Sequence, residues 1–379
     1  MSSRPKDGKQ SVTIGFPVFA LAFAPKKAKV FVGGGGGASR SGVKNTVAMY
    51  TVNEYTLSLE PVAKHEFGSD EDSVQSICVH PKEKTIVVGA NQSQDRIKQG
   101  SNENCRIFTL KDETLLYQTS ISTVDGLKDS FQKVARFSPD GKYLLTGGTD
   151  GKLSVWSWPE CHNVIPALDM EGEIADANFD SASTMFVALT SKKCVVISLA
   201  KGKTVWSIDK PVVTQSADAA EFRSARFGSG SSEGYLFMAV NAKSRKQSYI
   251  CKWKTDKWAM ERSKLVAVKP ITAFNISYDG ELLTFGAADS SVNILSAKGL
   301  QSLLKVPNAH NFPITSLSFS PTGLTLVSGS ADGTCNVIAV PLGPAGSSPL
   351  SIIIIVLLVL FALWLLVYLA SGDSGVNEL

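Results

Sequence analysis

The feature that most constrains the fold is self-similarity along the chain. Gln132 to Lys142 (QKVARFSPDGK) and Ile314 to Gly323 (ITSLSFSPTG) both alternate apolar and polar residues, then turn at Ser-Pro-x-Gly. Each is followed by a second short apolar run, Tyr143 to Gly148 or Thr325 to Ser330. An Asp-Gly turn comes next, Asp150-Gly151 or Asp332-Gly333, and then a third run, Leu153 to Trp156 or Cys335 to Ile338. Period-two patterning broken by Asp-Gly is the signal of antiparallel hairpins. Weaker copies of the unit are anchored at Phe23, Val79, Phe137, Phe179, Phe227, Ile276 and Phe319. Successive anchors lie 56, 58, 42, 48, 49 and 43 residues apart. Seven units at that spacing predict an all-β, seven-bladed propeller whose first two blades carry insertions. A blade buries its faces only against its neighbours, so the ring must close. Val12 to Phe16 is the candidate for the outer strand of the last blade.

The spacing is that of WD-type repeats, with the Trp-Asp signature worn down to Trp156-Ser157-Trp158 in blade three and Trp253 in blade five. Length alone would allow two or three ordinary domains, but a repeat-built domain can hold most of 379 residues. Apolar residues make up 44% of the chain, enough for a core, and a net charge of +4 without long blocks of one sign argues against a polyanion-binding protein. The six cysteines lie too far apart for a zinc ribbon or a redox pair, which predicts reduced, buried thiols. The four histidines are scattered and suggest no metal site. Met1 to Gln10 is polar and basic, unlike a secretory signal.

Ser351 to Ala370 (SIIIIVLLVLFALWLLVYLA) carries no charge and no polar stripe. Twenty such residues in a helix span about 30 Å, the thickness of a bilayer's hydrocarbon core. The expected organisation is a propeller over residues 1–342, a linker over 343–350, a transmembrane helix over 351–371 and a short tail over 372–379. A late anchor behind a domain without a signal predicts that the propeller stays in the cytosol and the tail enters the lumen. The tail holds Asp373 and Glu378 and no basic residue, which favours the endoplasmic reticulum over the mitochondrial outer membrane.

The insertion in blade one is the candidate for function. Val32 to Asn45 reads VGGGGGASRSGVKN. A phosphate loop is one reading, but Val43 intervenes before Lys44, and Asn45 stands where Ser or Thr is required. A plain flexible connection and a protruding loop that contacts a partner are the two others. Val43 is also placed to begin the next strand, and Asn45 to cap a turn. No Ser-His-Asp order, metal cluster or cofactor fingerprint points to an enzyme.

The same residues carry a resemblance. Val32 to Asn45 is similar to the signature loop of the endoplasmic-reticulum guanine-nucleotide exchange factors for the Sar-family small GTPase of the COPII coat, the prolactin regulatory element-binding protein family. Val88-Gly89-Ala90-Asn91, followed by Ile97 to Gly100, is a second match, and Ala309-His310-Asn311-Phe312-Pro313-Ile314-Thr315 a third. The family's loop typically ends Gly-Ile-Pro-Asn; this chain has Gly42-Val43-Lys44-Asn45, so Lys44 replaces a stiffening proline. The resemblance implies a membrane-bound exchange factor that makes and breaks no covalent bond and starts coat assembly at the endoplasmic reticulum. It implies Val43 as an apolar wedge and Asn45 as a hydrogen-bonding tip against the GTPase. Gly33, Gly34, Gly35, Gly36, Gly37, Ser41, Gly42 and Lys44 would form the partner-binding loop, with Asn91 and His310 secondary. It further implies that loop carbonyls hold a monovalent cation such as potassium. The plainer alternatives are that Gly89 and Asn91 shape a blade turn and that His310 makes the structural hydrogen bonds of a WD-repeat histidine. Other functions compatible with the residues are a silent relative that aids the exit of particular cargo, and a scaffold unrelated to GTPases. No nucleic-acid or small-molecule substrate is expected.

Overall fold

A computed structural model of the chain describes residues 5, 7–39, 41–82, 84–125, 130–209, 213 and 219–341. Apart from Pro341, these fall in one compact unit, Met1–Val340. They form seven four-stranded antiparallel sheets, six of them meanders of consecutive strands and the seventh a three-strand meander joined by a strand from the N-terminal segment. The first, innermost strands are Val18–Phe23, Ser76–Val79, Gln132–Phe137, Asp176–Phe179, Ala220–Phe227, Ile271–Ile276 and Ile314–Phe319. Every anchor read from the repeats is the last residue of one of these strands. The reason is packing: Phe23, Phe179, Phe227 and Phe319 are buried, and Val79, Phe137 and Ile276 pack partly buried against a core cluster.

The apolar core is not one mass. It divides into seven clusters, each built from two consecutive blades. Val134, Leu145 and Val155 of blade three meet Phe179, Phe186 and Ala188 of blade four, for example. Val18 and Val30 of blade one meet Val327 and Val337 of blade seven. A glycine near the end of the second strand recurs at these seams. A Cβ at Gly33, Gly147, Gly286 or Gly329 would lie 2.4–2.7 Å from an atom of Val74, Ile174, Ile314 or Val18, each belonging to the next blade or the segment entering it. No side chain fits there, so the repeat keeps glycine.

Closure comes from the N-terminal segment, as the sequence predicted, though from slightly earlier residues. Lys9–Thr13 pairs antiparallel with Thr334–Ala339 and completes blade seven. Ile14 and Phe16 lie past this strand and pack at the seam between blades seven and one. The linker, transmembrane helix and tail expected over 343–379 lie outside the described residues. Among the described residues no helix is long and apolar enough to cross a membrane. All six cysteines are free thiols, five buried and Cys161 half-buried; burial pushes Cys78 up to about 12, far from the range of a reactive thiolate.

Removing residues 1–13 should strip the outer strand from Thr334–Ala339 and expose a sheet edge. At about 1 kcal/mol per ladder hydrogen bond, the loss is about 3–5 kcal/mol. Urea unfolding of the truncated chain beside the intact one measures it; equal stability would mean the ring does not depend on this closure.

Candidate functional site

In a meander, the connection between second and third strands lies at the same end as the connection to the next blade. The three segments that resemble the exchange-factor family therefore share one rim of the ring. The glycine loop joins Lys29–Gly34 to Thr46–Asn53 in blade one, and Asn91 follows Thr85–Gly89 in blade two. His310 precedes Ile314–Phe319 in blade seven. The turn from blade one to blade two, Phe67 to Gln75, reaches the same rim.

The glycine loop is folded rather than loose. Gly33 and Gly34 still belong to the strand, and a Cβ on Gly34 would strike the carbonyl oxygen of Pro17 at 1.8 Å. Gly35 has φ +141°, and its Cβ would meet Asn45 Oδ1 at 2.3 Å. A Cβ on Gly36 would meet Ser41 Oγ at 2.0 Å. Gly37–Ser39 then makes a single 3₁₀ turn, with Ser39 Oγ donating to the Gly36 carbonyl at 3.1 Å. Four of the five consecutive glycines thus answer to close approach, not to freedom.

Asn45 is the clasp of this loop. It is 2% exposed. Its Oδ1 accepts from the Gly37 amide at 2.9 Å, and its Nδ2 donates to the Glu71 carbonyl at 2.7 Å and to the Gly37 carbonyl at 3.3 Å. This corrects the expectation of an exposed hydrogen-bonding tip. The side chain's polar groups are spent inside the protein, where burial makes an unpaired amide costly. The exposed groups are its neighbours Ser41, Gly42, Val43 and Lys44. Val43 is 37% exposed and lies before the strand that starts at Thr46, so it is not that strand's first core residue.

Glu71 and Asp72 complete the site and were not singled out from the sequence. Glu71 Oε1 accepts from Arg106 Nη2 at 2.6 Å, with both side chains largely buried, and Glu71 Oε2 accepts from the Gly68 amide at 2.8 Å. Arg106 also sits over the Phe67 ring, 5.8 Å from its centroid. The Asp72 amide donates to the Asn91 carbonyl at 3.1 Å. Asn91 Nδ2 donates to the Ser130 carbonyl at 2.9 Å, and Asn91 Oδ1 accepts from Asn102 at 3.1 Å. Asn91 is buried and therefore joins blades two and three instead of facing a partner. Beyond it, the short helix Gln94–Lys98 is mostly exposed on the same rim. Separation along the chain, 26 residues from Asn45 to Glu71, hid Glu71 and Asp72; the acidic run Asp70-Glu71-Asp72 beside a blade's first strand was the available signal.

His310 is not brought into this network. It is buried in blade seven, its Nδ1 and Nε2 each 2.8 Å from a hydroxyl, of Thr334 and of Ser328, and its Nδ1 3.5 Å from Asp332. Burial holds its pKa below the ordinary 6.5, with Asp332 opposing in part. It plays the structural part of a WD-repeat histidine. Its neighbour Phe312, two residues on, is 56% exposed and gives the rim a second apolar group besides Val43.

Two segments match the family profile of the WD domain, G-beta repeat: residues 119–157 and 301–338. Each spans the end of one blade and the first three strands of the next. The longer matches are to whole proteins. SEC12-like protein 2 of Arabidopsis thaliana is 28% identical over 308 residues, covering 79% of this chain and 73% of that protein. The chain is similar to SEC12 and SEC12-like proteins over most of its length. The mouse guanine nucleotide-exchange factor SEC12 is 23% identical over 350 residues, covering 81% and 82%. The SEC12 exchange factor of Candida glabrata is 23% identical over 349 residues, covering 89% and 73%.

Two outcomes follow for the site. Asn45→Ala should unclasp the loop, costing about 1–3 kcal/mol through unpaired buried groups. Hydrogen exchange at the Gly37 amide should rise with it; unchanged protection would remove Asn45 from this role. His310 binds a proton more readily in the unfolded chain. Its contribution is intact above about pH 6.5 and drains as pH falls below that value toward its lower folded pKa. Replacing it (His310→Gln) should flatten the fall in melting temperature between pH 7 and pH 5, read by scanning calorimetry.

Proposed function

We propose that this chain is a guanine-nucleotide exchange factor that promotes GDP release from a Sar-family small GTPase and so starts COPII coat assembly at the endoplasmic reticulum. The observation that carries the reading is its kinship, over about four fifths of its length, with proteins named as SEC12 exchange factors. The rim around Val43 is the surface that fits such a role. Exchange needs no covalent chemistry. A partner that binds the nucleotide-free GTPase more tightly than the GDP form by about 4–6 kcal/mol shifts the equilibrium roughly 10³- to 10⁴-fold.

In this reading Val43 is the apolar wedge that enters the GTPase beside its nucleotide pocket, and Phe312 is a second apolar contact. Asn45, Glu71 and Arg106 act behind them by holding the wedge at a fixed height. Lys44, where the family typically has proline, is exposed and alters the loop's surface rather than its clasp.

A monovalent cation on the loop is part of this reading. Gly37 packs against Asp72, whose Oδ1 would lie 3.4 Å from a Cβ at that position. Carbonyl and carboxylate oxygens of this kind are the hard donors that a potassium ion takes. When bound, such an ion would add charge neutralisation and stiffness to the loop. Residues 351–371 are proposed as the membrane anchor, with the propeller in the cytosol and the tail in the lumen. Anchoring would confine activation to the membrane that the loaded GTPase enters.

The test is release of a fluorescent GDP analogue from a Sar-family GTPase, using the full chain reconstituted in liposomes. Wild type should accelerate release by at least a hundredfold. Val43→Asp should lose most of that with an unchanged melting temperature, because an exposed residue carries little of the fold. Folded wild-type protein without acceleration would exclude exchange and leave cargo-specific scaffolding as the function.

A further inference from the structure

The central channel of the ring holds a charge imbalance that the rim does not explain. Its cavity is about 880 Å³ and is lined by the innermost strands. Five charged residues line it: Lys133, Arg136, Arg223, Arg226 and Asp176. They come from blades three, four and five, so the positive charge lies along one wall. At the position just before the anchors of blades three to seven, the same strands place Arg136, Asn178, Arg226, Asn275 and Ser318, a polar arc; Ala22 and Cys78 hold that position in blades one and two.

Asp176 accounts for one of the cations. Arg226 Nη1 and Ser224 Oγ both donate to its Oδ2, and all three residues are buried. Burial alone would raise the Asp176 carboxyl, but Arg226 and Arg136 beside it hold it below the ordinary carboxylate range. Arg136 is left at the margin: its Nη2 is 3.7 Å from Asp176 Oδ1, and its Nη1 donates to the carbonyl of Ala135 at 2.9 Å. Arg223 donates to the carbonyl of Thr272, and among the described residues no carboxylate lies within ion-pair distance of it. Lys133 pairs with Glu173, which is half exposed. Four cations thus face two carboxylates in a half-enclosed space. Arg136 and Arg223 are each half-buried at the channel wall, and a planar, forked donor suits phosphate oxygens.

We infer that the channel is a binding site for a small, multiply charged phosphate compound, held chiefly by Arg136 and Arg223 with Arg226 and Lys133 behind them. The cavity is in the size range of small-ligand pockets, so one such molecule fits and a folded partner does not. The proposal does not depend on the exchange reading.

Calorimetric titration of the full chain with inositol hexakisphosphate and with pyrophosphate, in 0.15 M sodium chloride, tests this. One site with micromolar affinity for at least one of the two probes is expected. Arg223→Gln should weaken binding at least tenfold, whereas Arg96→Gln on the exposed rim should leave it unchanged. Arg223→Lys keeps the charge without the fork and should give an intermediate loss, which covers the case in which Arg223→Gln does not fold. Absence of heat with either probe at 1 mM overturns the proposal, and so does affinity that folded Arg223→Gln and Arg223→Lys both retain in full, since the anion would then sit elsewhere.

Discussion

The burial of each blade against its two neighbours is the constraint on which everything else rests. No blade has a core of its own. Each of the seven apolar clusters is shared by two consecutive blades, and the ring leaves no pair unshared. Such an arrangement cannot be stable in part, because an open ring would leave two apolar blade faces in water. Pairing Lys9–Thr13 with Thr334–Ala339 therefore does more than add five residues to a sheet. It ties the two ends of a repeat array into one cooperative object, and a rigid rim follows from that.

This constraint also explains what was legible in the sequence. The anchors at Phe23, Phe137, Phe179, Phe227 and Phe319 repeat because every seam needs a large apolar residue where the first strand ends. The turn behind it is short, so the following strand is found by counting. Glycine at the end of the second strand recurs for the same reason, and once Gly147, Gly286 and Gly329 are aligned, Gly33 is seen as a seam residue. Taken alone, the run Gly33 to Gly37 looks like a flexible tether. Seen beside the other blades, its first residue belongs to the common plan and only the remainder is special to blade one.

The site was less legible because its parts come together across the ring and not along the chain. Val43, Lys44 and Asn45 are neighbours in sequence, yet Val43 and Lys44 face solvent and Asn45 faces inward. Periodicity carries no information about a loop, so an exposed tip was as natural an expectation for Asn45 as a clasp. What decides between them is the turn Gly68 to Asp72, which presents the Glu71 carbonyl to the Asn45 amide. Arg106, in blade two, fixes that turn from behind. A largely buried charged pair is weak evidence of stability but good evidence of placement: its partners cannot drift apart without leaving the buried Arg106 charge uncompensated.

Placement is what an exchange surface would need most. Ordering a free loop costs roughly 1–2 kcal/mol per residue, and glycine is the most expensive residue to order. Ten residues between Gly35 and Lys44 would together absorb more than about 10 kcal/mol if they were ordered only on meeting a partner. That exceeds the 4–6 kcal/mol differential that roughly a 10³- to 10⁴-fold shift requires. A floppy glycine loop would therefore spend its binding energy on itself. In the folded chain the cost is met in advance: side-chain oxygens of Asn45 and Ser41 occupy the space where Cβ atoms at Gly35 and Gly36 would stand. The glycines thus serve rigidity here, because only residues without side chains let the clasp come close enough to hold the loop.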